Sequence, residues 1–145
     1  MQTRQCWTVL ANKAEDQCSR IQQELANIQQ RLEGLQANER RLRQLYAEYH
    51  ERLTRPGAES SGMQDAINQR QFMHQITGLI DKVLQDQSIT QQALGQTRQK
   101  MAEAQREKLK MQALVEQDQH RLRVAEKVQD QKLMDELALR KFQVR

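Results

Sequence analysis

From Trp7 to Leu53 the apolar residues recur at alternating steps of four and three: Trp7, Ala11, Ala14, Cys18, Ile21, Leu25, Ile28, Leu32, Leu35, then Leu42, Tyr46, Tyr49 and Leu53. Glu39 alone departs from the pattern. A repeat of about 3.5 residues held this long is the period of a left-handed coiled coil, narrower than the stripe of an ordinary amphipathic helix. It predicts a first helix over about residues 3–54. A second run, through Met73, Ile76, Ile80, Val83, Gln87, Thr90, Leu94, Thr97, Met101, Ala104, Lys108, Met111 and Val115, keeps the period more loosely. It predicts a second helix over about 63–141.

Between the two runs lies Arg55-Pro56-Gly57-Ala58-Glu59-Ser60-Ser61-Gly62, with the only proline of the chain and two of its five glycines. Proline removes a backbone donor and glycine removes the steric bias toward helix, so a turn is expected at 55–62. The fold class that follows is all-α: two long helices forming an antiparallel coiled-coil hairpin in a single domain, helix 2 longer than helix 1. One register pairs the two lists layer by layer. It sets Tyr49 opposite Met73, Tyr46 opposite Ile76, Leu42 opposite Ile80, Leu32 opposite Thr90, Ile28 opposite Leu94, Ile21 opposite Met101, Cys18 opposite Ala104 and Trp7 opposite Val115. A slip by one heptad is the alternative. In this register Glu39 faces Val83, with Lys82 as the nearby cation.

Two apolar surpluses are left over. Helix 1 is exhausted near Arg121, so roughly two dozen residues of helix 2, at about 1.5 Å rise each, extend beyond the pairing. They carry Leu122, Val124, Val128, Leu133, Met134, Leu137, Leu139 and Phe142. Near the turn, Leu45, Phe72, Leu79 and Leu84 flank the seam. Uncovered apolar patches mark partner surfaces or self-association into a bundle.

Composition sharpens this picture by exclusion. With 3% aromatic residues and a mean hydropathy of -0.94, the 145-residue chain has too little apolar mass for a compact globular core. A two-helix seam needs roughly two apolar positions in seven, which a chain 37% hydrophobic and 29% charged supplies. The net charge is +4 with a pI near 9.3, but acidic and basic residues are interleaved and no dense basic block stands beside the heptads. A DNA-binding zipper is therefore not expected. Cys6 and Cys18 read as reduced thiols of a cytosolic protein, and Cys18, on the seam, as a small buried hydrophobe. The start lacks the apolar stretch of a signal peptide, and no segment approaches a membrane span. His50, His74 and His120 are far apart in sequence and read as surface residues. No phosphate loop, dinucleotide fingerprint or metal-ligand spacing is present, so neither an enzyme nor a cofactor is expected.

The residues around the turn add a resemblance. Leu42, Tyr46, Ala47-Glu48-Tyr49 and Leu53, followed by Ile67-Asn68-Gln69-Arg70-Gln71-Phe72, resemble the FliJ family, the small coiled-coil component of bacterial flagellar type III export. Asp130-Gln131-Lys132-Leu133-Met134-Asp135-Glu136-Leu137 is similar to the family's ending. The resemblance implies a fold like the two-helix coiled coil of the rotary ATPase gamma subunit. It also implies a stalk and adaptor role in flagellum biogenesis and motility, at the cytoplasmic face of the inner membrane. The end bearing the termini would enter a hexameric export ATPase, burying Leu122, Val128, Leu133, Met134 and Leu137. The cytoplasmic domain of the export gate would be met by Leu42, Tyr49, Phe72 and Ile76, with Leu79 and Val83 continuing that surface. Leu45 and Tyr46 share the step between Leu42 and Tyr49 where the family has an aromatic gate contact, and the resemblance implies Tyr46 for it, with Leu45 as the alternative. Export chaperones are further implied partners. A stalk protein of virulence-type secretion and a generic coiled-coil scaffold are the alternatives.

Overall fold

A computed structural model describes residues 5–55 and 62–143. Helix α1 spans Gln5–Thr54 and helix α2 spans Met63–Gln143, 50 and 81 residues long. The two pack against each other, with no strand among the described residues. The central part of the expected turn, 56–61, lies outside the described residues. Its flanks show how the helices stop and start. The Glu51 carbonyl, which the ending helix leaves open, accepts the Arg55 N–H (3.0 Å) and the Thr54 hydroxyl (3.2 Å), a hydroxyl that also lies 3.0 Å from the His50 carbonyl. Pro56 then disfavours helical geometry at the residue before it. Gly62 has φ +93°, a left-handed conformation that suits glycine, and its carbonyl accepts the Ala66 N–H at 3.3 Å to open α2. Asp65 in the first turn of α2 and Arg140 and Lys141 in the last complement the helix dipole.

The chain divides into two compact units. One combines Met1–Gln22 with Lys100–Arg145. Its seam mixes small and large side chains: Ala14, Cys18 and Ile21 are buried, and Trp7, Ala11, Met101, Ala104, Lys108, Met111 and Val115 are half-buried. Ala14, Gln17 and Ile21 share a groove with Lys100, Glu103, Ala104 and Glu107. These positions are compatible with the expected register, which sets Cys18 opposite Ala104. Half-burial continues through Asp118 and Leu122, and every described residue from Arg123 to Gln143 is exposed.

The other unit is Gln23–Gln99. Met73, Ile76, Ile80, Thr90, Leu94 and Thr97 are buried against a half-buried stripe of α1 running from Leu25 through Leu32 and Leu35 to Leu42, Tyr49 and Leu53. The buried Thr90 hydroxyl is tolerated because it folds onto its own helix, donating to the Asp86 carbonyl at 2.7 Å. Gln87 donates its amide N–H to the Leu35 carbonyl at 3.3 Å. This contact falls one heptad from the expected Leu42–Ile80 layer, which excludes the heptad slip in this unit. Glu39 corrects one expectation: its ion-pair partner is Arg43 of its own helix (3.6 Å), not Lys82. With its side chain 21% exposed, Glu39 reaches the edge of the seam, where it pairs with the i, i+4 arginine.

The Gln87 layer makes a prediction. Leucine at position 87 would bury more apolar surface, while the Leu35 carbonyl keeps its place in the helical ladder. Gln87→Leu is thus expected to raise stability by about 1 kcal/mol while weakening the device that fixes register. Thermal melting combined with sedimentation measures both; a fall in melting temperature would show that the glutamine is a net stabiliser.

Candidate interaction surfaces

Side chains on the flank of the seam near the turn form an aromatic cluster. Phe72 packs on Tyr49 with ring centroids 4.8 Å apart and planes tilted by 54°, a favourable arrangement for two quadrupoles. The Arg52 guanidinium lies 5.2 Å from the Tyr49 ring centre. Phe72 is 38% exposed and Leu79, two turns on, 51% exposed. Phe72, Ile76 and Leu79 share one helix face through the i, i+4, i+7 spacing.

Of the residues expected to meet an export gate, Tyr49 and Phe72 are thus brought into contact, with Leu79 exposed on the same face of α2. Leu42 is half-buried. Ile76 is the best-buried large side chain among the described residues, 1% exposed, and packs in the seam. Tyr46 goes elsewhere. It stacks on His50 (6.3 Å, planes 7° apart) and lines a groove with Leu53, Thr54, Arg70, Met73, His74 and Thr77, a set that includes neither Tyr49 nor Phe72. Leu45, half-buried, is the residue left at the step beside Leu42. His50 and His74, distant in sequence, line one groove. Their places near one layer of the register were the sequence signal for this pairing.

The second surface is the last part of α2. Val124, Val128, Leu133, Met134, Leu137, Leu139 and Phe142 are exposed by 45% to 81%. Leu122 differs from the other residues expected to meet the ATPase because it is half-buried. Continued in strict register, the seam beyond Leu122 would fall on Ala125, Gln129, Lys132 and Glu136, which are mostly polar. The apolar residues of this stretch therefore leave the seam and spread around the helix.

Among the described residues no group of three or more His, Cys, Asp or Glu is placed to hold a metal ion, and no helix is long and apolar enough to cross a membrane. Cys6 is exposed and Cys18 buried, both as free thiols.

Two long paired helices with apolar surface on the flank of one pairing and along an exposed helical stretch define a helical interaction protein. The family model of the flagellar FliJ protein matches residues 8–145, and the chain belongs to that family, one of flagellar export components. No curated relative and no solved structure matches the chain significantly.

Proposed function

We propose that this FliJ-family protein is a stalk and adaptor of flagellar export, an antiparallel coiled-coil hairpin of a single domain that links a hexameric export ATPase to the cytoplasmic domain of the membrane export gate. The observation that carries the reading is the run of exposed apolar side chains from Val124 to Phe142 on a helix of balanced charge. A single helix with this much uncovered apolar surface is suited to a receiving channel. The Tyr49–Phe72 cluster, with Leu79 beside it, suits the gate. Leu42 and Leu45 border that surface, while Tyr46 is assigned to a different one. Both surfaces use α2, so one helix serves two partners. Handling of export chaperones and residence at the cytoplasmic face of the inner membrane belong to the same proposal.

The test is occupancy of both partners at once. Mixed with the ATPase ring and the gate domain, the protein is expected to sediment as one complex of all three, held by apolar contacts and only modestly sensitive to salt. Displacement of the ring by the gate domain would contradict the linking role.

A further inference from the structure

The groove lined by Tyr46, His50, Arg70, Met73 and His74 is used neither by the aromatic cluster nor by the exposed end of α2. It has a volume of about 420 Å³. Met73, 8% exposed, and half-buried Leu53 give it an apolar floor, and the stacked rings of Tyr46 and His50 form one side. Two of its three hydroxyls are engaged: Thr54 donates to the His50 carbonyl and Thr77 to the Met73 carbonyl, each at 3.0 Å. The donors left open belong to Arg70, which has no carboxylate partner among the described residues, to the Tyr46 hydroxyl and to the imidazoles. No carboxylate lines the groove. An adjoining hollow shares Arg70 and His74 and adds Ile67, Gln71 and Gln75, again without an acid. Grooves elsewhere on the chain include Glu103 and Glu107, or Asp16, or Glu126 and Asp130.

We infer that this groove is a docking site for an acidic segment of a partner protein, one that sets carboxylates against Arg70, His50 and His74 and an apolar side chain against Met73 and Leu53. Arginine pairs a carboxylate through two parallel N–H bonds, and in a concave site beside apolar side chains such a pair is less screened than on an open surface. A peptide fits this chemistry better than an anionic membrane. Headgroups need a broad basic face, whereas the carboxylates of Glu48, Glu51 and Asp65 stand at neighbouring positions of the same two helices. The inference does not depend on the stalk reading, because the groove shares no residue with Phe72 or with the end of α2.

The test uses the full chain and three probes: a blocked peptide of alternating Glu and Leu, its Lys and Leu counterpart, and phosphatidylglycerol vesicles, with the ring signals of Tyr46, His50 and His74 followed by NMR. The acidic peptide is expected to shift these signals saturably and to leave Trp7 unmoved. Arg70→Glu should weaken binding on the order of tenfold or more. His74→Gln should weaken it less, and Phe72→Ala not at all. Helicity of each variant, read by circular dichroism, separates lost binding from lost folding. Absence of shifts, equal shifts with the basic peptide, or unchanged affinity in Arg70→Glu would overturn the inference. Shifts with vesicles but not with the acidic peptide would overturn it in favour of a membrane contact.

Discussion

Deleting Asp130 to Arg145 is expected to abolish association with the export ATPase ring while leaving gate binding and the melting of the remaining paired helices nearly unchanged. Every described residue in that stretch is exposed, so its removal takes away no packed neighbour. What it takes away is Leu133, Met134, Leu137, Leu139 and Phe142, side chains 55% to 81% exposed whose burial in a partner is worth roughly 1.5 to 3 kcal/mol each when complete. Partial burial of a few of them accounts for most of an ordinary affinity, so the loss should be total at micromolar concentrations. Pull-down on the immobilised ring reads the first effect and a thermal melt the second. A large fall in melting temperature would mean that the stretch packs against this chain in solution.

The second large effect separates packing from recognition on one helix face. Ile76→Ala empties the best-buried position in the seam and should cost about 2 to 5 kcal/mol of stability. Phe72→Ala, four residues earlier, loses the tilted contact with Tyr49 but opens no enclosed cavity, because the ring is already 38% exposed. Its cost should be on the order of 1 kcal/mol, while binding to the gate domain should fall far more. The two variants therefore sort in opposite order by melting and by gate affinity. If Phe72→Ala melts as early as Ile76→Ala and binds the gate normally, Phe72 is core and the gate surface lies elsewhere.

Much of this architecture is legible in the sequence because a coiled-coil seam is a one-dimensional object. The steps of four and three from Trp7 to Leu53 predict the buried and half-buried stripe of α1 almost residue by residue, and the lone proline with its glycines locates the break between helices. The register also follows, since the Gln87–Leu35 contact falls where the heptads place it. Less legible is what a side chain does once it reaches the edge of the seam. Tyr46 occupies a seam position by spacing, yet it is 37% exposed and its ring lies against His50, whereas Tyr49, three residues on, is held by Phe72. Periodicity alone does not distinguish the two. It places Ile76 on the seam, where the side chain is 1% exposed, although the family resemblance implies a gate contact there, and it leaves His50 and His74 unconnected until the helices are paired. Glu39 found its cation four residues away rather than across the seam, since a flexible pair on one helix face forms with little ordering cost.

The central claim, that α2 ends in a surface made for a receiving channel, is tested most directly by amide hydrogen exchange along residues 123–143, in the free protein and with the ATPase ring bound. A single helix without a packed partner opens at little cost in free energy. Exchange in this stretch should therefore be fast in the free protein, against slow exchange at Cys18, Ile76 and Leu94 in the buried seam. Adding the ring should slow it, and the gate domain alone should not. Strong protection of the same residues in the free protein, unchanged when the ring is added, would contradict the account.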